Sequence, residues 1–91
     1  MDLLEPAVVD GAIAELAWER QGDEIVKVHR GRDFASSIAY VDTVGALAEA
    51  MDHHPDIDIR WNVVTLRLST HSVGGITALD IELARRIDAL T

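Results

Sequence analysis

From about Phe34 to Asp52, apolar residues recur every three or four positions: Phe34, Ile38, Val41, Val44, Ala48 and Met51. That spacing gathers them into one stripe and predicts an amphipathic helix. Asp33 suits its N-cap, because a carboxylate there accepts the free N–H groups of the first turn. His53-His54-Pro55 ends the helix, since proline disfavours helical dihedrals in the residue before it. Beyond Pro55 the period falls to two. Ile57, Ile59 and Trp61 alternate with Asp58 and Arg60, and then Val64, Leu66 and Leu68 alternate with Thr65 and Arg67. The phase changes between Trp61 and Val64, which predicts two strands joined by a tight turn or bulge near Asn62.

The flanks read in the same way. Pro6 to Leu16 predicts a short helix, with Pro6 at its first position and Val9, Ile13 and Leu16 on one face, although Gly11 weakens it. Trp18 to Arg20 and Glu24 to Arg30 predict a hairpin turning at Gln21-Gly22-Asp23. In its second strand Val26 and Val28 are expected to face inward, with Lys27 and a solvated His29 on the other side. Ser72 to Ile76 reads as a glycine-containing loop, and Thr77 as the cap of a last helix carrying Ile81, Ala84 and Ile87 on one side. The order is helix, strand, strand, helix, strand, strand, helix. It predicts an α+β fold: a four-stranded antiparallel sheet with helices packed on one face.

Composition narrows the class. The chain has 91 residues, room for a single domain over 1–91. It has no cysteine, so neither a disulfide nor a thiolate nucleophile is available. A core this small has a thin stability margin, and an oligomer interface would add to it. Eight Lys and Arg against sixteen Asp and Glu give a net charge of −8, which argues against a nucleic-acid partner. No apolar run approaches the ~20 residues of a membrane span. The opening Met1-Asp2-Leu3-Leu4-Glu5 lacks the basic start of a signal peptide, so a cytoplasmic location is expected.

The chemistry-bearing residues cluster in the second half. His53 and His54 lie at a helix end, and His71 closes the long strand before the glycine loop. In a hairpin, the start of one strand and the end of the next share a sheet edge, which would bring His54 and His71 together. Imidazole gives and takes protons near neutral pH without much tuning. Glu49 lies one helical turn before His53, within reach of its ring. Structural roles compete: His-His-Pro could be only a C-cap, and Asp80, three residues after Thr77, has capping-box spacing. Trp18 and Trp61 read as core or edge packing. Adjacent histidines tend to point apart and no His-x-x-x-His pair exists, so no metal site is expected.

The run from Glu49 through His53-His54-Pro55 and Trp61 to Ser69-Thr70-His71, followed by Asp80, resembles the core of the pterin-4a-carbinolamine dehydratase family. The likeness extends in outline to Trp18 and Asp33-Phe34, and so covers nearly the whole chain. Some members carry an aromatic where this chain has Ile57, a difference that would reshape the pocket wall. The resemblance implies a dehydratase that eliminates water from a 4a-hydroxytetrahydropterin to give the quinonoid dihydropterin in tetrahydrobiopterin recycling. It implies His53, His54 and His71 as catalytic residues, with His54 at the 4a-hydroxyl and Glu49 orienting or charging His53. Asp80 would hold a histidine or the pterin edge, and Ser69, Thr70, Trp61 and Trp18 would be substrate-binding candidates. No cofactor is implied, because the pterin is the substrate. A homodimer or homotetramer, and a pathway shared with an aromatic amino acid hydroxylase, follow from the same resemblance. So does the alternative that the fold serves as a non-catalytic protein-binding or assembly partner.

Overall fold

A computed structural model describes residues 2–90. In chain order the elements are α1 (Pro6–Ile13), β1 (Glu19–Gln21), β2 (Glu24–Arg30), α2 (Phe34–Met51), β3 (Asp56–Arg60), β4 (Val63–Leu68) and α3 (Ala78–Asp88). The strands form one antiparallel sheet in the order β1-β2-β4-β3. This is the α+β arrangement the periodicities predict, with differences at particular positions.

The hairpins set the register. Gly22, at φ 62°, supplies the left-handed residue of the β1–β2 turn. Ile59 pairs with Val64 and Ile57 with Leu66, so the β3–β4 turn is the two residues Trp61 and Asn62, and the phase change is that turn. Asn62 is tied across the sheet: its Nδ2 donates to Gly31 O at 2.8 Å, and Gly31 N donates to Asn62 O at 2.8 Å.

One face of the sheet carries the core. Val64, Leu66 and Leu68 of β4 are fully buried, as are Ile25, Val44, Leu83, Ala84 and Ile87. Ile25 pairs with Leu68, Lys27 with Leu66 and His29 with Val64, which puts Ile25, Lys27 and His29 on the helix-covered face. The facing expected for β2 is therefore inverted, although Val26, on the other face, is itself buried at 6% exposure. Val28 lies on the open face, 51% exposed, while Lys27 is 6% exposed. Ile25 is the apolar residue that fixes the parity. Lys27 follows it inward because its stem covers core surface and its Nζ meets Asp88 Oδ1 at 2.6 Å. His29 is not a freely solvated side chain either: it stacks on Tyr40 with ring centroids 3.7 Å apart.

The stripe of α2 holds at Val44 and Ala48, with Val41 and Met51 packed against the core, and departs from the expected one only in its first turns. Ser37, Val44 and Ala48 are buried, whereas Phe34 and Ile38 are exposed. Ser37 replaces an apolar residue at the first turn because its Oγ donates to Asp33 O at 2.8 Å, sharing that proton with Asn62 O at 3.3 Å. Asp33 caps the helix as expected, accepting from Ser36 N at 2.8 Å, while its own N–H donates to Ser36 Oγ at 3.1 Å.

Candidate active site

The site forms where α2 ends and β4 runs out. Asp52 takes the left-handed conformation, φ 49° and ψ 44°, and the N–H of His53 returns to Ala48 O at 3.1 Å. The helix thus closes on backbone bonds, and neither imidazole is needed to cap it. The left-handed residue also breaks the one-turn relation between Glu49 and His53, which holds only while the chain stays helical. His53 turns inward and His54 outward. His54 Nε2 pairs with Glu49 Oε2, so Glu49 serves His54 and not His53, a correction to the expected pairing.

His53 is 9% exposed, and its Nε2 lies 2.5 Å from Oδ1 of the fully buried Asp80. An ionised Asp80 can only accept, so Nε2 carries the proton and Nδ1 is the lone-pair nitrogen of the neutral ring. The capping role and the histidine-holding role of Asp80, rivals in the sequence, coexist. Its Oδ2 accepts from Thr77 N at 2.9 Å, closing the capping box, and from Thr70 Oγ1 at 2.9 Å.

His71 lies just beyond the sheet and not on β4, which ends at Leu68. Thr70 bridges to Gly75, and the turn between them carries an exposed His71. Gly74 sits in that turn at φ 73°, a conformation glycine adopts without strain. A cleft of about 240 Å³ is lined by Asp52, His53, His54, Ser69, Thr70, His71 and Ser72. The three histidines of the second half thus meet at one opening, with Ser69 and Thr70 in its wall.

Trp18 and Trp61 do not line it. The Trp18 indole is 6% exposed and donates from Nε1 to Asp88 Oδ1 at 2.9 Å. Asp88 is two turns along α3 from Asp80, about 12 Å away. Trp61 occupies the β3–β4 turn at the opposite end of β3, about 17 Å from its start, and is 68% exposed with φ 54°. A hollow of about 410 Å³ on the open face of the sheet, lined by Asp58, Arg60, Thr65 and Arg67, holds no histidine. Among the described residues no three His, Cys, Asp or Glu side chains are grouped to hold a metal ion. No helix there is long and apolar enough to cross a membrane.

Three contributors, Asp52, Ser72 and Thr77, lay outside the sequence expectations as site residues. Asp52 borders the cleft, and its position immediately before His-His-Pro is a signal that the pattern offers. Thr77 reads as a helix cap and is one, but its hydroxyl also contacts Thr70 Oγ1 at 2.8 Å. That contact depends on folding and has no local signature.

The family model for pterin 4 alpha carbinolamine dehydratase matches residues 2–90. A Nocardia farcinica protein provisionally named as such a dehydratase is 50% identical over 90 residues, covering 98% of this chain and 95% of that protein. A Roseiflexus castenholzii protein with the same provisional name is 51% identical over 89 residues, covering 97% and 96%. Among solved structures, the transcriptional coactivator/pterin dehydratase from Brucella melitensis superposes with a TM-score of 0.91 at 29% identity, over 98% of each chain. A pterin dehydratase-like protein identified as a RuBisCO assembly factor in the alpha-carboxysome superposes with a TM-score of 0.69 at 26% identity, over 81% of this chain and 88% of that one. A match that runs from residue 2 to residue 90, at half identity to several relatives, makes this chain a member of the pterin 4 alpha carbinolamine dehydratase family.

Proposed function

We propose that this chain eliminates water from a 4a-hydroxytetrahydropterin to give the quinonoid dihydropterin, by histidine acid/base catalysis. The observation that carries the reading is the meeting of His53, His54 and His71 at one polar cleft, with two of the rings held by carboxylates. The reaction needs a proton delivered to the departing hydroxyl as the C4a–O bond breaks, and a proton removed from the neighbouring ring nitrogen. Water leaves, and the electron pair of the N–H bond becomes the new C=N bond. No atom changes hands with a redox partner, so the chemistry requires no electron-transfer cofactor.

Paired imidazoles suit this work, one donating and one accepting, and positioned acid/base groups typically contribute ~10²–10⁴ in rate. His54, paired with the Glu49 carboxylate, is the group assigned to the 4a-hydroxyl, and His53 and His71 share the remaining proton transfers. His53 has its Nε2 proton committed to Asp80, so Nδ1 is its accepting atom. Ser69 remains a candidate for hydrogen bonding to the pterin. Trp18 and Trp61 lie away from the cleft, and Trp61 would meet substrate only from a second copy. A homodimer or homotetramer is the expected assembly, motivated by exposed Phe34, Ile38 and Trp61 and read by light scattering.

The test generates the carbinolamine in situ with a phenylalanine hydroxylase and follows its decay by ultraviolet absorbance. Decay that accelerates in proportion to this protein, and that His54→Ala slows by about 10²-fold, supports the reading. A second reading draws on the assembly factor of related fold: a non-catalytic protein partner. A stoichiometric client recovered by pull-down, together with no acceleration of dehydration, would favour it.

A further inference from the structure

Thr70 and Thr77 have no free hydroxyl proton to offer a ligand. Thr70 is 7% exposed, and Thr77 and Asp80 are fully buried. Thr70 Oγ1 lies 2.9 Å from Asp80 Oδ2 and 2.8 Å from Thr77 Oγ1. Each hydroxyl has one proton, and an ionised carboxylate only accepts. Thr70 must therefore donate to Asp80, and Thr77 must donate to Thr70. Thr77 Oγ1 accepts in turn from Leu79 N at 3.3 Å. The chain of donors is directional, and it converges on the carboxylate whose other oxygen holds His53 Nε2 at 2.5 Å.

Thr70 is also the pivot of the turn that carries His71. Its N–H donates to Gly75 O at 2.7 Å, and its carbonyl accepts from Val73 N at 3.1 Å and Gly74 N at 3.0 Å. One carboxylate therefore anchors both histidine-bearing segments: His53 directly, and the His71 turn through the preceding residue. We infer that Thr70 and Thr77 are positioning residues, which fix His53 through Asp80 and set its spacing from His71, and that Thr70 is not a pterin contact. The kinetic consequence rests on the dehydratase reading, whereas the geometric one does not.

Thr70→Val keeps the shape of the side chain and deletes the hydroxyl; Thr70→Ser keeps the hydroxyl. Two readouts are needed: steady-state dehydration kinetics, and long-range proton–nitrogen NMR spectra of the imidazoles. Thr70→Val is expected to lower kcat about tenfold or more while KM changes by less than about twofold, since displaced groups lose rate before affinity. Its His53 Nε2–H signal should broaden or exchange faster than in the wild type. Thr70→Ser should recover kcat to within about threefold.

A raised KM with kcat retained in Thr70→Val would make Thr70 a substrate contact and overturn the inference. A wild-type spectrum with the His53 proton on Nδ1 would overturn it too, and decides the matter if Thr70→Val does not fold. If the wild type shows no turnover, the dehydratase reading fails, and the spectra of wild type and variant still judge the positioning role.

Discussion

Asp80 is where the fold and the proposed chemistry share an atom set. Its two oxygens, themselves fully buried, receive His53 Nε2, Thr70 Oγ1 and Thr77 N. Asp80→Asn replaces one acceptor by an N–H donor, so at least one buried donor faces another donor. The expected cost is about 2–3 kcal/mol of folding stability, read as a lowered urea midpoint at constant slope; a loss below about 0.5 kcal/mol would contradict the network as described. Gly31 is a second constrained position. A Cβ there would stand 2.3 Å from Ser37 Oγ, which is itself bonded to Asp33 O and Asn62 O. Gly31→Ala is expected to cost about 1–3 kcal/mol, and Ser37→Ala in the same chain should cost less than the sum of the two alone. Strict additivity in that cycle would contradict the close approach. At this scale the identities of His53, His54, His71, Glu49 and Asp80 were legible from spacing and resemblance. A histidine held by Asp80 was among the expectations, but the pairing of Glu49 with His54 was not, because it turns on one left-handed residue, Asp52, whose conformation has no signature in an Asp-His-His-Pro run.

Elements follow the sequence where apolar periodicity is strong and depart from it where a polar side chain takes a core position. The capped ends of α2 and α3 follow from Asp33 and Thr77, and the β3–β4 turn follows from the break in alternation. β2 inverted because Val-Lys-Val reads as valines inward, whereas the buried ion pair draws Lys27 inward with Ile25. Asp88 binds Lys27 Nζ, Trp18 Nε1 and Ala17 N, so the end of α3 is tied to β2 and to the chain entering β1. Asp88→Ala leaves Lys27 buried without that partner and is expected to cost about 3–5 kcal/mol, measured by denaturant unfolding. A variant as stable as wild type would show that Lys27 has an exposed alternative. Asp52 ends α2 at φ 49°, a conformation glycine adopts freely and alanine does not. Asp52→Gly should therefore be more stable than Asp52→Ala by about 1 kcal/mol, and the reverse order would contradict the left-handed cap.

For the molecule as a whole, two groups on the helix-covered side of the sheet make stability depend on pH. Burial first, and then the nearby Lys27 charge, hold the His29 imidazole below its ordinary value of 6.5. The unfolded chain then binds that proton more readily, so stability falls as pH drops through 6.5 and levels off below the folded value. For Asp88, burial alone would raise the carboxyl; the hydrogen bond and charge of Lys27, with Ala17 N and Trp18 Nε1, outweigh it and hold it below 3.8. That contribution is present above 3.8 and is lost as pH falls through the folded value. Acid unfolding of the wild type should show both phases, and His29→Phe, which keeps the stack on Tyr40, should lack the upper one. A wild-type stability flat between pH 7 and 5 would contradict the partial burial of His29.

The proposed dehydration is tested most directly by the decay of enzymatically generated 4a-hydroxytetrahydropterin, followed by absorbance with and without this protein. Decay is expected to quicken in proportion to protein concentration and to return close to the unaided rate in folded His54→Ala. An unchanged decay rate, in the presence of folded wild-type protein, would contradict that proposal.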